Sequence, residues 1–231
     1  MATVKRRAVG DVADLSGSED MGPVLRDNLS GQVYRRIRDA LKQSHFRPGQ
    51  KLVLRSVASD LDVSMTPLRD AFARLVSENA LVVDSRGCVC VPVISPEQHR
   101  EIRDLRMELE GRAAFAATAH VRLVDIEKLT ELNEAFYQAT VDGDRARALK
   151  ANEEFHFSLY ALSQMPILFS IIEGLWLRSG PILAQTGAKP RLPRRRHGSI
   201  LTGLRVGDPA LVRQGITEDI MAGWSIRQNF T

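Results

Sequence analysis

Helical periodicity over the last 136 residues of this 231-residue sequence, without any strand pattern there, is the feature that most restricts its fold. From Pro96 onward, apolar residues recur three or four positions apart in nearly every segment, as at Ile102, Leu105 and Leu109. Turn-forming residues separate the predicted helices, which begin near Gln98, Leu123, Ala146, Pro166, Pro193 and Pro209. Residues 95–231 are therefore predicted to form an all-α helical bundle with room for a cavity.

The preceding segment, residues 29–94, has a different pattern. A first helix is predicted with Ser30 as its cap, and Pro48-Gly49 ends it. Two short helices follow, joined by a tight turn at 62–64, where Ser64 is placed to cap the second of them. Apolar runs on either side of a turn at 84–87 then predict a two-stranded β-hairpin. The segment is thus predicted to be a winged helix-turn-helix, in which one helix can enter the major groove of DNA.

Charge and composition agree with this division. Residues 29–94 carry 10 basic and 6 acidic side chains, whereas residues 95–231 carry 18 and 17, so the positive excess lies where a phosphate-binding surface is expected. Cys88 and Cys90 cannot form a disulfide framework, and no apolar run approaches the roughly 20 residues of a membrane span. Residues 1–28 lack the apolar core of a signal peptide. We expect a disordered N-terminal tail, a cytoplasmic location and no membrane partner.

Three runs in the first region carry a family resemblance: FRPGQKL at 46–52, VASDLDVSMTPLRDA at 57–71 and RL at 74–75. They closely resemble the winged helix of the GntR transcription regulators. The remainder resembles the FCD-type effector domain of the FadR subfamily, in its shorter VanR-like branch. The residues that carry this second resemblance are Arg106 with Glu110, Asn152 with His156, and His197 with Asp219.

The resemblance implies a function. GntR regulators of this type are homodimers whose N-terminal domains bind a palindromic operator in double-stranded DNA, and many act as repressors. Their C-terminal helices bind a small effector, commonly a carboxylate metabolite, often through a metal ion. The leading interpretation is therefore a ligand-responsive transcription regulator and not an enzyme.

The resemblance also assigns DNA-binding residues. The positions that match the family's DNA-contacting residues are Arg55, Ser56, Met65, Thr66 and Arg69. Met65 departs from the arginine that is frequent there, which favours an apolar contact such as a thymine methyl group. The further phosphate contacts that we expect are Arg35, Arg36 and Arg86. For these three, an ordinary solvated surface is an equally open alternative.

The metal ligands implied by the resemblance are Asn152, His156, His197 and Asp219. The family usually has Asp, His, His and His at these positions, so this chain differs at the first and the last. Two imidazole nitrogens and two oxygens remain, a set suited to zinc, nickel or manganese but weaker than the family's own. Without the resemblance, a buried and hydrogen-bonded core histidine would be the ordinary interpretation of His156.

Arginines in the helical region are the candidates for holding the effector. Arg106, on the first helix of the bundle, is expected to face the cavity, where an effector carboxylate would accept two hydrogen bonds from its guanidinium. Arg178 is a second candidate for the same role. A structural salt bridge of Arg106 with Glu110, one helical turn away, is the open alternative.

Two other classes of protein compete with the regulator. A metal-dependent all-helical enzyme with a fused winged-helix adaptor would need a base or nucleophile beside an open metal position. Glu153, Glu154 and Ser158 lie near His156 in the sequence, but they do not form a recognisable catalytic set. A helical scaffold without a ligand would leave the four predicted metal ligands unexplained.

Overall fold

The computed structural model of the protein describes residues 29–183 and 197–228. The predicted tail at 1–28 and the predicted loop at 186–192 lie outside the described residues. Within the part that the structure describes, none of the helices combines the length and the apolar character needed to cross a membrane.

The N-terminal region has the predicted order of helix, helix-turn-helix and two-stranded wing. Its elements are α1 (Leu29–Lys42), α2 (Leu54–Asp60), α3 (Met65–Ser77), β1 (Val82–Val83) and β2 (Val89–Cys90). The two strands are antiparallel, with Val82 opposite Cys90 and Val83 opposite Val89. This confirms the predicted winged helix-turn-helix.

The described part of the C-terminal region contains helices and no strand, as predicted. These helices are α4 (Pro96–Ala117), α5 (Leu123–Val141), α6 (Arg145–Ala161), α7 (Pro166–Leu183), α8 (Gly198–Val206) and α9 (Pro209–Gln228). Helices α5 and α7 begin at the predicted residues, Leu123 and Pro166. Helix α8 begins later than the predicted start near Pro193, which itself lies outside the described residues.

Local capping explains several of the helix ends. Ser95 and Gln98 form a reciprocal capping box at the start of α4, and Asp144 caps α6. Ser64 occupies the predicted N-cap position of α3, although its side chain makes no capping hydrogen bond. The predicted cap at Ser30 is wrong: α1 already begins at Leu29, and the Ser30 hydroxyl instead donates to Asp70 of α3, with a distance of 3.0 Å.

Two large hydrophobic cores hold the described residues together, beside a smaller cluster of buried residues between α5 and α6. The first lies between α1, α2, α3 and the wing, with Leu41, Leu68 and Leu75 at its centre. The second fills the helical bundle and includes Phe155 and Ile216. Helix α7 contributes to both cores, because its Leu177 packs into the first and its Trp176 into the second. The two halves are therefore packed against each other through α7.

Polar contacts join the halves at the same junction. Lys42, near the end of α1, is buried and pairs with Glu153 of α6. Arg38 Nη1 lies 3.1 Å from Glu173 Oε1 of α7. The Ser44 hydroxyl donates to the backbone carbonyl of Gly180, with a distance of 2.6 Å. The C-terminal end of α1 and the residues after it thus contact two helices of the bundle, α6 and α7.

Candidate functional site

The first turn of α3 forms an exposed polar edge. Met65, Thr66 and Arg69 are exposed there, while the intervening Pro67 and Leu68 are buried in the first core. The alternation fixes the helix to the core through one face and leaves the other face to solvent. The start of α2 adds two further exposed residues, Arg55 and Ser56. All five predicted DNA-contacting side chains are therefore accessible.

The predicted phosphate contacts are also exposed. Arg35 and Arg36 lie on the outer side of α1, and Arg86 lies in the turn of the wing. Within residues 29–183 and 197–228, the side chains of Arg36, Arg86, Arg55 and Arg69 form no salt bridge. Their positive charge is available to an external anion.

The wing turn is organised by Asp84. Its Oδ1 accepts hydrogen bonds from the backbone N–H groups of Arg86 and Cys88, each with a distance of 2.9 Å, and its Oδ2 lies 3.1 Å from Lys51 Nζ. The bond from the Cys88 backbone, followed by the bond from Lys51, lowers the pKa of the Asp84 carboxyl. These contacts hold the turn that carries the Arg86 side chain.

A second cluster lies inside the helical bundle. His156 of α6, His197 at the start of α8 and Asp219 of α9 are all buried and face one another. His156 Nε2 lies 3.2 Å from Asp219 Oδ2, and His197 Nε2 lies 3.8 Å from Asp219 Oδ1. One donor atom of each residue lies within 4.8 Å of the others. The structure thus brings together three of the four predicted metal ligands.

Asn152, the fourth predicted ligand, is half-buried on α6 and lies one helical turn before His156. Residues four apart on a helix project from the same face. The position is therefore on the side of α6 that carries the cluster.

In each histidine, Nδ1, the ring nitrogen that does not face Asp219, contacts an oxygen. His156 Nδ1 lies 3.1 Å from the Tyr160 hydroxyl, and His197 Nδ1 lies 3.0 Å from Asn133 Oδ1. The ring of His197 also stacks on Phe155, with 4.1 Å between the ring centres. Sequence reasoning missed Tyr160 and Asn133. The spacing of Tyr160, four residues after His156 on one helix, was a usable signal, whereas nothing in the sequence connects Asn133 with His197.

A buried carboxylate supports this arrangement from α4. Glu110 is fully buried and accepts hydrogen bonds from Arg106 Nε at 2.5 Å, the Tyr160 hydroxyl at 2.7 Å and Trp176 Nε1 at 3.0 Å. Burial acts to lower the pKa of Arg106, but the Glu110 carboxylate outweighs it and the pKa is raised. Burial and then Glu110 raise the pKa of the Tyr160 hydroxyl well above its ordinary value. Both groups are therefore held protonated.

The predicted effector-binding arginines differ in their surroundings. Arg106 forms the ion pair with Glu110 that the sequence left open, and its guanidinium also lies over the Trp176 ring, 4.5 Å from the ring centre. Arg178 is half-buried on α7, and its Nε is buried without a hydrogen-bond partner among the described residues. Arg106 is thus committed to an internal partner, whereas Arg178 retains an unused donor.

The buried cluster has the chemistry of a divalent cation site. Two imidazole nitrogens and a carboxylate suit a borderline ion such as zinc, nickel or manganese. Histidine ligands ordinarily donate their second ring N–H to an oxygen, which is the contact that both rings make here. The residues present therefore fit a bound metal ion.

Family models match both halves of the chain. The model described as bacterial regulatory proteins, gntR family, matches residues 29–91, and the FCD domain model matches residues 101–221. The chain belongs to the GntR family. This GntR protein therefore combines the family's DNA-binding helix-turn-helix with an FCD effector domain, which confirms the resemblance seen in the sequence.

Individual proteins that resemble this chain are also transcription regulators. The HTH-type transcriptional regulator McbR of Escherichia coli is 36% identical over 160 residues, which cover 69% of this chain and 72% of that protein. A solved structure of E. coli McbR/YncC superimposes with a TM-score of 0.84 at 31% identity, covering 89% of this chain and all of that one. The Nta operon transcriptional regulator of Aminobacter aminovorans is 31% identical over 57% of this chain and 62% of that protein.

These relatives are named as transcriptional regulators. This GntR protein is accordingly a DNA-binding transcription regulator, and the competing interpretation as a metal-dependent enzyme is not supported.

Proposed function

We propose that this regulator is a homodimeric repressor that binds a palindromic operator and is released by a small carboxylate effector. The helix-turn-helix of residues 29–94 would bind DNA, and the bundle of residues 95–231 would bind the effector and pair two subunits. The observation that carries the proposal is the double role of α6. This helix brings His156 to the buried cluster and, through Glu153, contacts Lys42 of the DNA-binding half.

In the DNA complex, α3 lies in the major groove with its N-terminal turn toward the bases. Thr66 and Arg69 contact base edges, and Met65 packs on a thymine methyl group. Arg55 and Ser56 at the start of α2 hold the backbone, together with the further phosphate contacts Arg35, Arg36 and Arg86. The exposure of these side chains supports this assignment.

In the effector domain, His156, His197 and Asp219 would hold a divalent ion, with Asn152 supplying an amide oxygen as a fourth ligand. When bound, such an ion supplies positive charge and open coordination positions for carboxylate oxygens. Zinc, nickel and manganese are the ions that this donor set favours.

Arginine would complete the recognition of the effector. Arg178 is the better placed of the two candidates, because its Nε has no hydrogen-bond partner among the described residues. Arg106 would have to leave Glu110 before its guanidinium could pair with a ligand carboxylate. Arg106 is therefore assigned a supporting role, through Glu110, with direct contact to the effector as the alternative.

Signal transfer would follow the junction between the halves. A change in α6 on effector binding would alter the pair of Glu153 with Lys42 at the end of α1. Helix α7 offers a second connection, because Trp176 bonds to Glu110 while Leu177 lies in the core of the DNA-binding half. A displacement of either helix therefore changes how the winged helix-turn-helix is held.

Operator binding tests the DNA-contacting surface. Arg69→Ala should weaken operator affinity by about 1 to 3 kcal/mol, because a base-reading arginine is lost. The matched control is Arg100→Ala, which removes the same charge from an exposed position paired with Glu97 in the other half. The measurement is a gel-shift titration at constant salt. Equal affinities for Arg69→Ala and the wild type would remove Arg69 from the interface.

Metal content tests the buried cluster. The wild type should retain zinc, nickel or manganese after dialysis against a weak chelator, and His156→Ala should lose it. His120→Ala, which changes an exposed histidine outside the cluster, serves as the control. Added metal should also raise the melting temperature of the wild type, because it binds the folded protein. A wild type that holds no metal and is not stabilised by any of the three ions contradicts the proposed site.

A further inference from the structure

The two histidines of the cluster are held in the same way. Nδ1 of His156 contacts the Tyr160 hydroxyl at 3.1 Å, and Nδ1 of His197 contacts Asn133 Oδ1 at 3.0 Å. In both rings Nε2 is the atom that faces Asp219, at 3.2 Å for His156 and 3.8 Å for His197. Each ring therefore uses one nitrogen for an oxygen partner and directs the other to the shared carboxylate.

Glu110 fixes the direction of the hydrogen bonds around His156. Its carboxylate can only accept, and it receives bonds from Arg106, Trp176 and Tyr160. The hydroxyl of Tyr160 has a single proton, which it donates to Glu110 over 2.7 Å. The Tyr160 oxygen must then accept the hydrogen from His156 Nδ1. If the His156 ring carries one proton, that proton is on Nδ1 and the electron pair is on Nε2.

His197 also carries a proton on Nδ1, because of a residue on a different helix, α5. The Oδ1 atom of Asn133 carries no proton, so His197 Nδ1 is the donor in their hydrogen bond. Asn133 is buried on α5, beside the stacked rings of Phe155 and His197. The packing leaves the imidazole little freedom to turn over. A ring with a single proton on Nδ1 presents an unprotonated Nε2 to the carboxylate of Asp219, and a cation between these atoms stabilises that arrangement.

We propose that Tyr160, oriented by Glu110, and Asn133 are positioning residues that make His156 and His197 bind a divalent ion through Nε2. This inference rests on the proposed function, because it assumes that the cluster holds a metal ion. It adds α4 and α5 to the helices that determine metal affinity. The site would therefore depend on residues that do not touch the ion.

Zinc affinity measured by competition with a chelator tests the proposal. Tyr160→Phe and Asn133→Leu each remove the oxygen that orients one ring, and each should weaken zinc binding about 10- to 100-fold. Asn133→Asp keeps an acceptor at the same place and should retain the affinity. The matched control is Tyr34→Phe, which removes a hydroxyl that also donates to a carboxylate, that of Glu78, in the DNA-binding half. Its zinc affinity should equal that of the wild type.

The nitrogen-15 shifts of the histidine rings provide a readout that a purely structural role would not move. In the zinc-loaded wild type, both His156 and His197 should show coordination through Nε2 and a proton on Nδ1. Tyr160→Phe should change the pattern of His156 alone, and Asn133→Leu that of His197 alone. Rescue of the His197 pattern by Asn133→Asp would separate loss of the acceptor from loss of packing.

The outcomes distinguish the inference from the function on which it rests. A wild type that binds no divalent ion would overturn both. Zinc binding by the wild type, with unchanged affinity and unchanged ring patterns in Tyr160→Phe and Asn133→Leu, would overturn only the positioning role. A loss of affinity in Asn133→Asp equal to that in Asn133→Leu would also contradict it, since the acceptor is then irrelevant.

Discussion

Three arginines of the DNA-binding half lie in solvent, whereas Arg106, the central arginine of the helical bundle, is enclosed. Arg36, Arg55 and Arg69 are exposed, and none of them forms a salt bridge within the described part of the chain. Arg106 is 9% exposed and is paired with a carboxylate, Glu110, that is fully buried. Arginine is therefore available to an external anion in the DNA-binding half, whereas in the helical bundle Arg106 is already paired with the carboxylate of Glu110.

This difference separates two ways of building a binding site. A surface arginine is hydrated until a phosphate replaces water and counterions, so it contributes to affinity and little to folding. A buried arginine must be neutralised during folding, since an unpaired charge in the interior is strongly destabilising. Arg106 and Glu110 thus support the interior of the helical bundle, and substitutions there should act first on stability.

The largest effect is expected at Glu110. Glu110→Gln leaves the buried Arg106 without its counter-ion and should lower the free energy of unfolding by about 3 to 5 kcal/mol. The control is Glu108→Gln on the same helix, which removes an exposed partner of Arg213 and should cost about 1 kcal/mol or less. Urea denaturation measures both. Equal destabilisation by the two substitutions would contradict the distinction between the buried and the exposed pair.

The second-largest effect is expected at the junction between the two regions. In Gly180→Ala, the new Cβ would lie 2.7 Å from Lys42 Cα and nearer still to the Leu41 carbonyl oxygen. Such overpacking typically costs about 1 to 3 kcal/mol, and it should push α7 away from α1. Gly174→Ala is the control on the same helix, because its Cβ would meet nothing within 4 Å. That control should stabilise the protein by about 0.5 to 1 kcal/mol through helix propensity.

Operator binding by Gly180→Ala and Gly174→Ala tests whether the junction also connects the two regions functionally. Gly180→Ala disturbs the contact between α7 and the DNA-binding half without touching an exposed cation or the buried cluster. We expect it to change how strongly the effector or metal alters operator affinity, while Gly174→Ala leaves that response as in the wild type. A response that is identical in the two variants would show that α7 does not connect the regions.

The sequence predicted the helices well because their signals are local. Helices α5 and α7 begin at the residues predicted from apolar spacing and turn residues. The error at Ser30 has a tertiary cause, since its hydroxyl bonds to Asp70, forty positions away, instead of capping its own helix. Periodicity contains no information about such a partner.

The two candidate sites differ in how local their sequence signals are. The candidate DNA-contacting residues Arg55, Ser56, Met65, Thr66 and Arg69 lie on the consecutive helices α2 and α3, so one motif places these five together. The buried cluster is assembled from residues on different helices, and only the family resemblance brought His156, His197 and Asp219 together in advance. Asn133 and Tyr160 carry no motif of their own. Their roles appear only once packing places a side-chain oxygen beside each imidazole.

Arg74 provides the smallest and most discriminating test of the comparison, because it is exposed like Arg69 yet paired like Arg106. Its Nε lies 3.1 Å from Glu78 Oε1, and its guanidinium lies over the Tyr34 ring, 3.8 Å from the ring centre. An exposed ion pair with a cation–π contact contributes about 0.5 to 1 kcal/mol. Arg74→Ala should therefore lower the free energy of unfolding by about that amount, as measured in urea. The affinity of Arg74→Ala for the operator should change less than that of Arg69→Ala in the same gel-shift titration. The reason is that an arginine with an internal partner is less available to phosphate. If Arg74→Ala lost as much operator affinity as Arg69→Ala while its stability stayed unchanged, exposure alone, and not freedom from internal partners, would decide which arginines bind DNA.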